Sequence, residues 1–126
     1  MKPAYFDLSV ENLKEARQFF ENVFGWHFEK MSLPFEYYRI QAGDPDEPGI
    51  DGGIGELKDL TFRNGKPLLV VTVPVVNLNE AIENVKESGG SIIEPKTAIP
   101  GIGWYATCTE PGGLMFGMMQ PDPKAQ

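Results

Sequence analysis

The chain has 126 residues, 41% of them hydrophobic, and a net charge of −7 at pH 7. That length fits one compact domain or two small modules sharing a core, and the acidity argues against nucleic acid as a partner, because neutralising phosphates takes basic clusters. No apolar run approaches the ~20 residues that a membrane span needs, and a single cysteine, Cys108, excludes an internal disulfide framework. No signal-peptide pattern opens the chain, so a cytoplasmic protein is expected.

Residues 4–10 alternate. Phe6, Leu8 and Val10 fall on one face and Tyr5, Asp7 and Ser9 on the other, the pattern of a half-buried strand. Asn12 then reads as a helix N-cap with Glu15 as its capping-box partner. Leu13, Ala16, Phe20 and Val23 recur at helical spacing, Phe19 and Phe24 widen the stripe, and Gly25 ends the helix. Trp26, Phe28 and Met31 begin a second strand. Residues 35–42 form a third, rich in β-formers. Residues 43–49 are a polar loop, and Ile50 to Leu57 is a glycine-rich fourth strand in which Gly52 and Gly53 imply a bulge or a close backbone approach. Residues 58–66 read as a charged connection between modules.

The chain then repeats itself. A shift of 65 places Val75, Asn77, Leu78, Glu80, Ala81, Gly90 and Glu94 on Val10, Asn12, Leu13, Glu15, Ala16, Gly25 and Glu29. A fixed period marks a duplicated unit. Lys66 to Val75 therefore repeats the first strand, and Asn77 to Ser88 repeats the helix with its cap. Strands follow at Ser91 to Lys96, 103–109 and 114–119, with a turn at Pro100-Gly101. Residues 121–126 read as a polar, frayed tail.

Each half is thus β-α-β-β-β, with a helix on one sheet face only. The other face must be buried or used. Phe6, Leu8 and Val10 should pack under the first helix, and Val71, Val73 and Val75 under the second. Tyr5, Asp7 and Ser9, like Val70, Thr72 and Pro74, should look the other way, into a wet concavity. The expected architecture is α+β, two tandem β-α-β-β-β modules (about 4–57 and 66–120) of one domain, forming a curved-sheet cleft.

On these residues the chain resembles the vicinal oxygen chelate superfamily, which includes glyoxalase I, bleomycin-resistance proteins, ring-cleaving dioxygenases and fosfomycin-resistance enzymes. The carriers are the opening strand, the runs at 12–26 and 77–81, and the close Glu-Pro-Gly-Gly-Leu-Met-Phe-Gly at 110–117. The phrase at 98–104 looks like a glyoxalase-related subgroup. The resemblance implies the glyoxalase/bleomycin-resistance fold and a homodimer. In metal-using relatives it implies a His on the first strand of each half and an acid on the last. Those positions here hold Tyr5, Val70, Gly117 and a residue near Gly52. Val70 and Gly117 offer no side-chain donor to an ion that needs several, so no metal or other cofactor is expected.

The candidate catalytic residues are Asp7, an acid that a low-dielectric cleft could make a base, and its neighbour Tyr5. Candidate ligand contacts are Tyr5, Asp7, Tyr38, Arg39, Thr72, Trp104 and Met119. Tyr37 and Arg39 share one face of their strand and Tyr38 has the other; alternation does not say which lines the cleft. Arg39 there would bind a carboxylate or phosphate, and Trp104 a flat or apolar ligand. The leading expectation is a metal-free small-molecule-binding protein. Two alternatives are a metal-free enzyme using Asp7 and Tyr5 on a carbonyl compound, and a degenerate metal lyase or dioxygenase using Glu56, His27 and Asp7.

Overall fold

A computed structural model describes residues 1–59 and 66–126; of the connection expected at 58–66, residues 60–65 lie outside the described residues. The fold is α+β, built of two compact units. One is Tyr5–Leu69, and the other is Val70–Gln126 together with Met1–Ala4. Below they are the N-terminal and C-terminal units. The first four residues join the C-terminal unit because they run beside its first strand, where the Ala4 N–H donates to the Thr72 carbonyl at 3.0 Å.

The N-terminal unit contains β1 (Tyr5–Val10), α1 (Leu13–Phe24), β2 (His27–Lys30), β3 (Tyr37–Gln41) and β4 (Gly52–Glu56). Its sheet order is β2-β3-β4-β1, with β4 parallel to β1 and antiparallel to β3. The Asn12 N-cap sets where α1 begins: its Oδ1 accepts from the Glu15 N–H at 2.9 Å. Gly25, at φ 71°, ends it in a left-handed conformation that disfavours a side chain. Leu13 packs on Ile40 and Ile54, and Phe6, Leu8, Val10, Ala16 and Phe28 close around them. The Trp26 ring stacks on Phe20 at 4.9 Å and meets Phe6 at 5.6 Å. The apolar stripe is wider than the sheet it covers. Phe19, Val23 and Phe24 are all more than half exposed, because Leu13 and Ala16 make the contact with the core and Phe20 is taken up by Trp26.

The C-terminal unit contains β5 (Leu68–Pro74), whose first two residues precede it, then α2 (Leu78–Glu87), β6 (Ser91–Ile99), β7 (Gly103–Thr109) and β8 (Met115–Pro121). Its order is β5-β8-β7-β6, with β8 parallel to β5 and antiparallel to β7. Asn77 caps α2 as Asn12 caps α1, accepting from the Glu80 N–H at 3.0 Å. Leu78, Val75, Ala106, Cys108 and Met118 form the core. Cys108 is fully buried, and burial pushes its thiol pKa up.

Three details depart from the sequence reading. Of the two readings of the β4 glycines, the close backbone approach holds, since a Cβ on Gly52 would collide with the Phe6 carbonyl, and the bulge does not, since the register with β1 is unbroken from Phe6↔Gly52 to Val10↔Glu56. The bulges fall instead in β6, between Ile92 and Glu94 and again before Thr97. The tail is not frayed. Ala125 is only 1% exposed, its carbonyl accepts from the Gly101 N–H, and the Asp122 N–H donates to Ile102, so the tail is tied to the β6–β7 turn. Among the described residues, no helix is long and apolar enough to cross a membrane.

Candidate functional site

Paired residues of adjacent strands share a face. In the N-terminal unit, Glu29, Arg39, Gly53 and Asp7 make one row across β2, β3, β4 and β1. This row lies on the face away from α1, because the alternate residues Phe6, Leu8, Ile40 and Ile54 form the core beneath the helix. Tyr37, Tyr5 and Ser9, each two residues from a member of the row, lie on the same face. The sequence left open which side of β3 faces this way. The core decides it: Ile40 must lie under α1, so Tyr37 and Arg39 point away from the helix.

There the side chains converge. The Tyr37 hydroxyl donates to Asp7 Oδ1 at 3.0 Å, and the Tyr5 and Tyr37 hydroxyls are 2.8 Å apart. A phenol has one proton to give. Since Tyr37 gives its proton to Asp7, Tyr5 must donate to Tyr37, and the chain of donors runs Tyr5 to Tyr37 to Asp7. Asp7 and Tyr37 are each 8% exposed, whereas Tyr5 is half-buried. Burial, then the Asp7 carboxylate, then Tyr5, push the Tyr37 pKa far above its ordinary value, so Tyr37 stays a neutral donor. Gly53 makes the arrangement possible. A Cβ there would collide with both the Tyr37 and Tyr5 hydroxyls, so only glycine lets the two phenols lie on the sheet.

The C-terminal unit carries the matching row: Glu94, Thr107, Gly117 and Thr72 across β6, β7, β8 and β5. Tyr105 stands where Tyr37 does, two residues from the row on the penultimate strand. A Cβ on Gly117 would collide with its hydroxyl and come within 2.8 Å of Thr72 Oγ1. The fully buried Thr107 donates to Glu94 Oε1 at 3.2 Å.

Of the residues anticipated from sequence, Tyr5 and Asp7 come together in the first cluster. Arg39 shares their face but is half exposed and pairs with Asp51 at 3.6 Å, a surface contact of small energy. Thr72 and Met119 lie on the corresponding face of the C-terminal unit, Met119 beside Tyr105. Two do not fit. Tyr38 lies on the helix side, under the Arg17 guanidinium at 4.0 Å, with its hydroxyl donating to Glu36. Trp104 also lies on the helix side, packed against the core, with its indole N–H donating to Asp122 at 3.1 Å. In both cases strand parity decides: their alternates Tyr37 and Tyr105 hold the opposite face.

The sequence reading left the face of Tyr37 open and did not relate it to Tyr105. A fixed shift of 65 conceals their correspondence, because the two tyrosines are 68 apart and the two glycines 64. Aligning 37–40 with 105–108 allows for the unequal loops and exposes it. The same slip corrects the position placed near Gly52: the sheet partner of Asp7, and so the counterpart of Gly117, is Gly53.

The residues do not fit the metal that the resemblance would imply. Val70, Gly53 and Gly117 have no side-chain donor, and the Tyr5 phenol is engaged with Tyr37. Glu56 points to the helix side, where its Oε1 accepts from the Leu13 N–H at 3.1 Å, and His27 is exposed on β2 at the far edge of the sheet from Asp7. Glu56, His27 and Asp7 therefore do not assemble. Among the described residues no group of three His, Cys, Asp or Glu side chains could hold a metal ion. Two concavities lie elsewhere. One of about 430 Å³ is formed by the 41–51 loop with Arg39, and an apolar groove of about 350 Å³ runs beside α2. Neither includes Asp7, Tyr37 or Tyr105, so the hydrogen-bonded clusters and not the cavities define the candidate site.

No protein-family model matches the chain, and no curated protein matches it in sequence. Solved structures do match. A hypothetical protein from Bacillus halodurans C-125 has a TM-score of 0.72 at 15% identity, covering 99% of this chain and 97% of its own. Methylmalonyl-CoA epimerase from Mycobacterium tuberculosis has a TM-score of 0.68 at 12% identity, covering 96% and 88%. A Streptomyces coelicolor methylmalonyl-CoA epimerase, solved in complex with 2-nitronate-propionyl-CoA, has a TM-score of 0.68 at 10% identity, covering 100% and 98%. At these identities the likeness is one of fold, and the fold is the glyoxalase type that the resemblance implied.

Proposed function

We propose that this is a glyoxalase-related small-molecule-binding protein whose site works without a metal, on the sheet face of the N-terminal unit around Asp7, Tyr37 and Tyr5. The observation that supports it most is the Tyr5–Tyr37–Asp7 chain lying on Gly53. Buried polar groups cost stability unless paired, and a sheet face needing only to be covered would carry apolar residues. Instead it carries a carboxylate and two phenols, and a glycine that makes room for them. Such a set can orient a ligand by hydrogen bonds.

A second reading has one observation in its favour. Tyr37 keeps its proton, so of the three groups Asp7 is the one able to take a proton from a bound carbonyl compound and return it. Several structures of similar fold are epimerases of methylmalonyl-CoA, and epimerisation next to a carbonyl is a proton transfer. That supports the enzyme reading without naming a substrate for this chain.

We further propose a homodimer. Phe19, Val23 and Phe24 are exposed on α1 where the repeat places Asn84, Ser88 and Gly89, and a second copy would bury them.

Native mass spectrometry with metal analysis on the same purified sample tests these readings together. The expected result is a dimer mass carrying a small organic molecule and no stoichiometric divalent metal. A stoichiometric divalent metal would overturn the metal-free site. With the retained molecule identified, Asp7→Asn separates the two readings: retention with loss of deuterium exchange into the molecule marks proton transfer, whereas a wild type that never exchanges marks a binder.

A further inference from the structure

Thr72 is the residue of the two rows whose chemistry is incomplete. It is 4% exposed, and its hydroxyl oxygen is buried without a hydrogen-bond partner among the described residues. Leaving a buried hydroxyl unpaired is unfavourable, and valine would fill the same space without that penalty. The hydroxyl stands beside Gly117, 2.8 Å from where a Cβ on that residue would be, and the Tyr105 hydroxyl crowds the same position.

The strand beyond is bent toward the same face. Ile92 pairs with Cys108 on the helix side, and plain alternation would return Glu94 to that side. The bulge at Ile93 adds a residue, so Glu94 pairs with Thr107 and its carboxylate joins the row of Gly117 and Thr72. Bulges often re-aim side chains in this way beside functional sites. A carboxylate in that row disfavours an anionic ligand group and favours a neutral one.

We propose that Thr72 and Tyr105, seated on Gly117, form a subsite for a neutral carbonyl-type oxygen of a ligand, with the Thr72 O–H as donor. The subsite belongs to the C-terminal unit by itself and adds a ligand class to the small-molecule reading above, on which it rests. In the N-terminal unit the space over Gly53 is filled by phenols bonded to each other and to Asp7. Over Gly117, Thr72 leaves a donor for the ligand to complete.

The test uses acetamide, acetone and acetate as probes, followed by backbone amide NMR shifts of the full chain, with urea unfolding of each variant. Acetamide and acetone should shift the amides of Thr72, Tyr105 and Gly117, and acetate should not. Thr72→Val should weaken those shifts about threefold to tenfold, the range of one hydrogen bond, with stability equal to or above wild type. Thr72→Ser, which keeps the hydroxyl, should retain them. Shifts confined to Asp7, Tyr37 and Gly53 would overturn the subsite and leave the small-molecule reading standing. Shifts at neither cluster would sink both. A Thr72→Val variant clearly less stable than wild type would show that the hydroxyl is structural, and would also overturn the subsite.

Discussion

The two units share a scaffold and differ at its centre. Each lays a tyrosine from its penultimate strand over a glycine of its last strand, next to a polar residue of its first: Tyr37, Gly53 and Asp7 in one, Tyr105, Gly117 and Thr72 in the other. In the first, a carboxylate is held by a neutral phenol that is held by a second phenol. In the second, the carboxylate position carries an uncharged hydroxyl without a partner among the described residues. Duplication supplies the platform, and one substitution in the first strand decides whether the platform holds a charge or a donor. The same contrast recurs where each helix begins. The Leu13 N–H donates to Glu56 in one unit and the Leu78 N–H donates to Gln120 in the other, at 3.1 and 2.8 Å.

The largest expected effect comes from filling the platforms. Gly53→Ala must displace two phenols and break the buried bond to Asp7, and should lose about 3 kcal/mol, the upper end for overpacking. Gly117→Ala has more room to relax, since the Thr72 hydroxyl holds no bond that must be broken, and should lose about 1–2 kcal/mol. Urea unfolding of both variants measures the difference, and equal losses would break the comparison.

Tyr37→Phe should follow, at about 1.5–3 kcal/mol, the range for a hydrogen bond to a charged group. Its pH dependence sharpens the point. The Tyr37 pKa is raised in the folded state above the ordinary 10.0. Its contribution is therefore full below that pH and declines as pH rises above it, where the unfolded chain ionises and the folded one resists. The gap in stability between wild type and Tyr37→Phe should narrow in alkali; a constant gap between pH 8 and 11 would contradict the burial of this phenol.

The smallest effect concerns the helix starts. The Leu13 N–H, and after it Lys58, hold the Glu56 carboxyl below its usual range. A lowered folded pKa means that its contribution is present above the ordinary carboxylate value and is lost as pH falls through the folded one. Glu56→Gln copies Gln120. It should change stability by less than about 1 kcal/mol at neutral pH and flatten the decline in acid. Chemical unfolding between pH 3 and 7 reads it.

Much of this was legible in the chain. The alternation of 4–10, the Asn12 and Asn77 caps and the Gly25 stop depend on residues a few positions apart, and the structure places them as the pattern implied. That Tyr5 and Asp7 share the sheet face opposite Phe6 and Leu8 was legible for the same reason. Tyr37 was not, because alternation within 35–42 serves either face equally until Ile40 is known to lie beneath α1. The bulge residue Ile93 leaves no local mark that separates it from an ordinary strand residue. The tail misled because composition alone does not disclose that Ala125 and Asp122 find partners in the β6–β7 turn.

By itself, then, the sequence determined the periodic part of this protein: two β-α-β-β-β units, where each helix starts, and which side of each first strand packs under a helix. These follow from short-range sterics, hydrogen bonding and the repeat of apolar residues. The tertiary structure alone decided which residues meet. Strand pairing set the registers that bring Gly53 under Tyr37 and Gly117 under Tyr105, and a bulge turned Glu94 across the sheet. Such choices rest on contacts between residues tens of positions apart, which hydrophobic periodicity does not encode.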